Sequence, residues 1–265
     1  LGAGSSMADY RIGFKWWALI IAVVFVISEL VCVACVPERP VACDEKPGKI
    51  SDMFKALFKN DQAMTVVVSI ILVYTSLNIC GNLVLYFFRF DVGNEGAYSL
   101  FAAVAFAAQV LVMMVIPLLR KRFSKSQLFI AGFAVILIMA FAKLYTPQSW
   151  YILCLPGILI YLGYGMLNVI MTIFLSDSVD YGEVMNGTRE ESVIFSMQTF
   201  TVKLASGVAV FLAGLVVDWI HLDTAAAVQT QDTLDALRMW MTIPSVILLI
   251  VGIFVFKRFY KLDDT

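Results

Sequence analysis

Seven apolar runs divide this chain, and each is long enough to cross the roughly 30 Å hydrocarbon core of a bilayer. No other feature limits the fold as strongly. In lipid, every backbone N–H and C=O must be bonded within the protein, so an apolar run of this length folds as a helix. The runs are read at 14–36, 63–88, 97–119, 127–144, 150–175, 192–220 and 239–256. Soluble domains are about 45–50% apolar; this chain is 61% hydrophobic with mean hydropathy +0.87. It reads as an all-α membrane protein of seven transmembrane helices.

Charge and special residues exclude several function classes. The net charge of −1 gives no electrostatic case for nucleic acid. The five cysteines are an odd number, mostly inside apolar runs, and are expected as buried thiols. Cys32 and Cys35 form a C-x-x-C without a second pair, and His221 is the chain's single histidine. Neither fits a metal site. No nucleophile–base pair or phosphate loop points to an enzyme.

The chain opens on Leu1 with a short polar lead and no signal peptide, and is expected to be a piece of a longer protein. Pro37 ends the first run, whose one acid is Glu29. Residues 37–60 read as a linker. Within them Ile50, Met53, Phe54, Leu57 and Phe58 follow helical spacing, as in an amphipathic helix on the membrane surface or on the protein's own inner face. Residues 61–265 hold the other six runs. Asn78 and Asn82 share one face of the second run, where buried amides bond a neighbouring helix or line a cavity. Loops are read at Arg89–Gly96 and His221–Arg238. The fifth run carries Pro156, Gly157, Gly163 and Gly165, which permit close helix approach or bending, with Tyr161, Tyr164 and Asn168 among them.

A second feature stands out between the fifth and sixth runs. Asp177, Asp180, Glu183, Arg189, Glu190 and Glu191 crowd into a segment read as a charged loop, 176–191. The sixth run follows, with Lys203 at its centre. A cation at that depth costs roughly 2.5–3.5 kcal/mol on insertion scales. Lys203 lies eleven residues from Ser192, about 16 Å along a helix, too far for easy snorkelling. Ser196, Thr199, Ser206 and Gly207 form a polar, small-residue stripe with it, as expected of a helix facing a wet cavity. A structural cation paired inside the protein is the alternative.

Lysine and arginine set the orientation. Thirteen fall on the side of the linker, the 176–191 segment and the C-terminus, against five on the other, with Lys203 inside a run. The positive-inside rule places the C-terminus in the cytoplasm and the N-terminus outside.

Asp177-x-x-Asp180-Tyr181-Gly182-Glu183, then Gly187-x-Arg189, then Ser196-Met197-Gln198-Thr199 and Lys203, resembles the glycoside–pentoside–hexuronide cation symporter family. Asn60-Asp61-Gln62 and Tyr86-Phe87-Phe88 resemble it too. That family belongs to the major facilitator superfamily, with twelve helices in two six-helix halves. The resemblance begins at the family's sixth helix. It implies that 1–36 is the last helix of the N-terminal half, 37–60 a cytoplasmic linker and 61–265 the C-terminal six-helix bundle.

The resemblance further implies cation-coupled symport of a sugar, glycoside or glucuronide by alternating access, in the bacterial inner membrane. Lys203, Thr199, Gln198, Ser196, Asn78, Asn82, Tyr164 and Asn168 would face the solute and coupling cavity. Asp177, Asp180, Glu183 and Arg189 would form a cytoplasmic gate. No cofactor is implied beyond a coupling cation, Na+ or H+, for the full-length parent. The partners implied are the lipid bilayer, a small polar solute and the missing N-terminal half. A non-transporting membrane remnant or scaffold, and a carrier of a lipid-like or other polar solute, are the alternatives.

Overall fold

The computed structural model describes residues 7–35, 55, 58–145, 150–187, 191–224, 226 and 228–262. The chain forms two compact units, Leu1–Pro47 and Gly48–Thr265. Most of the amphipathic segment at 50–58 lies outside the described residues, as do Arg189 and Glu190.

The first unit holds one described helix, α1 (Met7–Cys35). Phe14, Trp17, Phe25, Leu30 and Val33 point to different sides of it and all are exposed. A helix that is apolar all round suits lipid. Cys32 and Cys35 are exposed free thiols on it, where the sequence led us to expect burial.

The second unit is a bundle of α2 (Asp61–Tyr86), α3 (Glu95–Leu119), α4 (Lys125–Tyr145), α5 (Trp150–Asn186), α6 (Glu191–Trp219) and α7 (Gln231–Phe259). Among the described residues six helices are long and apolar enough to span, and α4 contributes a shorter apolar stretch, Lys125–Ile136. α2 is central. It packs on α7 and α6 and touches α5, while α5 packs on α3 and α4 and α4 meets α7.

Lipid tails are as apolar as leucine, so helices in a bilayer associate through close packing and interhelical hydrogen bonds. Both are present. The glycines of α5 let its neighbours approach. A Cβ on Gly157 would sit 2.6 Å from the Phe101 ring, and one on Gly165 would sit 2.6 Å from Val112 Cγ1 and 2.8 Å from the Gln109 carbonyl oxygen. A Cβ on Gly163 would lie 2.9 Å from the carbonyl oxygen of Gly132 on α4. Of the two roles open to these glycines, close approach is the one the structure uses. Phe129, Phe174 and Phe256 then stack α4, α5 and α7 together, with ring centroids 4.0 Å apart for Phe129–Phe256 and 4.7 Å for Phe174–Phe256. Ser76 and Ser245 exchange hydrogen bonds, each hydroxyl donating to the other's backbone carbonyl at 2.9 and 2.8 Å, and so pin α2 to α7.

Three expected loops are partly helical. α5 continues to Asn186, so Asp177, Asp180 and Glu183 ride on helix and not on a loop. Ser178 and Val179 are buried there, and packing carries the helix past the end of its apolar run. Gly187 ends it, with φ +73° and its N–H donating to the Glu183 carbonyl at 2.8 Å. Residues Phe87–Asp91 form a π turn that continues α2, leaving only a short link to α3. α7 begins at Gln231, inside the expected 221–238 loop, because Thr230 caps it by accepting from the Thr233 N–H at 3.3 Å. The early turns of α7 then bring Arg238 to Asp91, a two-pronged ion pair whose carboxylate side chain is 4% exposed.

Candidate solute site

Two stripes of polar side chains face each other where α2 meets α5. On α2, Tyr74, Asn78 and Asn82 recur every four residues and so share a face. Asn78 Nδ2 donates to the Tyr74 carbonyl and Asn82 Nδ2 to the Asn78 carbonyl, both at 2.7 Å. On α5, Tyr161, Tyr164, Asn168 and Thr172 follow helical spacing. Asn168 Nδ2 donates to Tyr74 Oη at 2.9 Å, and the Tyr74 and Tyr164 rings meet edge to face with centroids 5.5 Å apart. Thr172 Oγ1 donates to the Asn168 carbonyl at 3.0 Å and accepts from Gln198 Nε2 on α6 at 3.4 Å. A polar row therefore runs from α2 across α5 to α6.

A cavity of about 180 Å³ opens beside this row. Asn78, Asn82, Tyr161 and Tyr164 give it polar groups, while Phe101 of α3 and Ile160 of α5 give it apolar wall. Gly157 lets the Phe101 ring close over α5 and form that wall. A mostly apolar concavity with a few convergent polar groups is the usual form of a small-molecule site.

The other expected site residues lie apart from this cavity. Lys203, Ser196 and Thr199 are exposed on α6, and Lys203 makes no hydrogen bond or ion pair with a described residue. α6 buries Thr201, Ala205, Ala209 and Ala213. Lys203 precedes Ala205 by two residues, so it is turned roughly 200° from that buried stripe. Gln198 is the α6 residue that reaches the polar row.

At the end of the bundle where α2 begins, Asp177 is paired with Lys125 of α4, Nζ to Oδ2 2.6 Å. Asp180 and Glu183 are exposed on α5. Asn60 caps α2 by accepting from the Ala63 N–H at 2.9 Å, and its Nδ2 donates to the Ser178 carbonyl at 2.7 Å. Gln62 accepts from the Lys261 N–H at 2.8 Å, past the end of α7. Both side chains are almost fully buried. They fasten the base of α2 to α5 and to the chain leaving α7.

A family model described as MFS/sugar transport protein matches residues 2–264. The chain belongs to the MFS/sugar transport protein family.

Among the family's curated members, the chain is 25% identical to an uncharacterized symporter, YjmB, of Bacillus subtilis (strain 168), over 88% of this chain and 51% of that protein. It is 26% identical to a raffinose carrier protein of Pediococcus pentosaceus, over 94% of this chain and 40% of the carrier. It is 24% identical to an isoprimeverose transporter of Lactiplantibacillus pentosus, over 99% of this chain and 54% of the transporter. The chain thus spans about half the length of the curated relatives it matches. In this family member, polar residues at helical spacing mark the amides and tyrosines of the cavity in the sequence, but not Phe101, Cys80 or Gly81, which also line it. Tyr74 and Gly157, each four residues from a named polar residue, were the available signals.

Proposed function

We propose that this family member is one helical body of a cation-coupled transporter for a sugar, glycoside or glucuronide, working by alternating access against a second body. The observation that carries this reading is the cavity between α2 and α5, with Asn78, Asn82, Tyr161 and Tyr164 around it and the polar row at its edge. Amide and hydroxyl groups set in an apolar wall suit a polyhydroxylated solute. The relatives named for raffinose and isoprimeverose support the same solute class. In transporters of this build two bodies rock about a site near the bilayer midplane, and the cavity between α2 and α5 would be this body's share of it.

Coupling falls to Lys203 in this reading. An exposed cation halfway along a spanning helix needs water or an acid. Carboxylates of the second body would supply the acid, so that entry of Na+ or H+ and of solute changes the charge balance. Asp177, Asp180, Glu183 and Arg189 would take part in closing the cytoplasmic end, with the C-terminus in the cytoplasm by the Lys/Arg bias.

The test is uptake of labelled oligosaccharides into proteoliposomes holding the full-length transporter, with a Na+ or proton gradient imposed. Uptake should require one of the two gradients, and Lys203→Ala should abolish or uncouple it. Uptake that ignores both gradients, or that survives Lys203→Ala with coupling intact, contradicts the reading.

A further inference from the structure

We infer that the end of the bundle where α2 begins carries a binding site for an anionic phospholipid, formed by the α3–α4 turn and the end of α7. It does not depend on which solute is carried. Two short clusters make the site. Lys121, Arg122 and Phe123 stand in the turn after α3, and Lys257, Arg258 and Phe259 close α7. All six side chains are exposed. Among the described residues no acid pairs with Lys121, Arg122, Lys257 or Arg258. Other cations at the helix ends are neutralised within the bundle: Lys125 by Asp177, and at the opposite end Arg89 by Glu95 and Arg238 by Asp91.

The fold brings the two clusters to one level. Phe129 of α4 and Phe256 of α7 meet with ring centroids 4.0 Å apart. Phe129 follows the turn closely, and Phe256 directly precedes Lys257. Each cluster also ends an apolar track. Leu111, Met114 and Leu118 are exposed along α3, and Ile247, Val251 and Phe254 along α7. Steps of three or four residues keep each set on one side of its helix. An apolar track for acyl chains that ends in two cations and a ring has the outline of a phospholipid site. A guanidinium can take a phosphate through two parallel N–H bonds, and an aromatic ring settles at the boundary of headgroup and tail. The charge decides which lipid. Each Lys or Arg near an anionic leaflet strengthens the attraction about fivefold. A zwitterionic headgroup brings a cation of its own, which these side chains repel. The exposed described acids of this end, Asp61, Asp180, Glu183 and Glu191, are carried by α2, α5 and α6, not by the elements that form the site.

The experiment titrates the full-length transporter, stripped of lipid in a neutral detergent, with phosphatidylglycerol or with phosphatidylcholine of the same acyl chains. Native mass spectrometry counts the lipid bound. Phosphatidylglycerol should bind more tightly by at least about tenfold. Arg122→Gln combined with Arg258→Gln should remove most of that preference, while Arg89→Gln at the opposite end should leave it. Equal binding of the two lipids overturns the inference, and so does a preference that the paired substitution leaves intact. Inorganic phosphate at the lipid's concentration should not displace the lipid; displacement would reveal a pocket for any anion and overturn it too. A second copy of the protein as occupant would appear as a dimer mass that the paired substitution dissolves, with no lipid retained, and this also overturns it. Should the paired variant aggregate, Arg258→Gln alone should weaken the preference about fivefold, and no change there overturns the inference.

Discussion

Asn168 Nδ2 donates to Tyr74 Oη across 2.9 Å, and this bond ties α5 to α2 at the edge of the cavity. Tyr74 is 8% exposed and its ring lies edge-on to Tyr164, which lines the cavity. Asn168 therefore acts on the cavity through Tyr74 and Tyr164, as a positioning residue between two helices of the bundle.

Tyr74→Phe keeps the ring and removes the acceptor. It should lower stability by about 1 kcal/mol, the net worth of one hydrogen bond. Asn168→Ala should do about the same, and the double variant should cost less than the sum of the two, because they share the bond between them. Thermal unfolding in detergent reads the coupling. Uptake kinetics should show KM raised more than maximal rate is lowered. Simple additivity of the two substitutions would contradict the bond's role.

Two glycines give opposite expectations. Gly165→Ala places a methyl 2.6 Å from Val112 Cγ1 and 2.8 Å from the Gln109 carbonyl oxygen, so α3 and α5 must separate. A loss of about 1–3 kcal/mol is expected, as for overpacking elsewhere. Gly207 lies mid-helix in α6 with nothing within 4 Å of the added methyl. Gly207→Ala should raise stability by up to about 1 kcal/mol through helix propensity alone. Melting temperatures of the two variants should move in opposite directions.

The base of the bundle allows a third test. A Cβ on Gly182 would approach Asn60 Nδ2 to 2.6 Å, in the same amide that bonds Ser178. Gly182→Ala should displace Asn60 and cost about what Asn60→Ala costs, roughly 1–2 kcal/mol for a lost cap. In an Asn60→Ala background the same Gly182→Ala should be near neutral. An unchanged effect in that background would show that Gly182 acts on something else.

Much of the fold was legible because runs of span length are hard to mistake for anything but helices, and every run became one. The boundaries were less legible. α5 outlasts its apolar run by three turns because Ser178 and Val179 pack inward, and burial by a neighbouring helix leaves no local signal. α7 starts early because of one threonine cap. In the site, the helical spacing of Asn78 and Asn82, and of Tyr164 and Asn168, was visible, but their joining through Tyr74 depends on how α2 and α5 meet. Lys203 stood out in the sequence as a charge in an apolar run. The structure puts it on the exposed side of α6, away from the enclosed cavity. Asp177, read as part of a cytoplasmic gate, has a partner, Lys125, within the bundle. Sequence spacing shows that charges are close along the chain, not which of them meet across helices.

The central claim is that the cavity between α2 and α5 holds the solute, and Cys80 allows it to be tested directly. Cys80 is a free, half-buried thiol in the cavity wall. In the full-length transporter, with other cysteines replaced by serine, modification of Cys80 by a small hydrophilic thiol reagent is timed with and without saturating transported sugar. The transported sugar should slow the reaction severalfold, while a sugar that is not transported should leave it unchanged. Modification at the same rate with a sugar the protein demonstrably carries would place the solute elsewhere and contradict the claim.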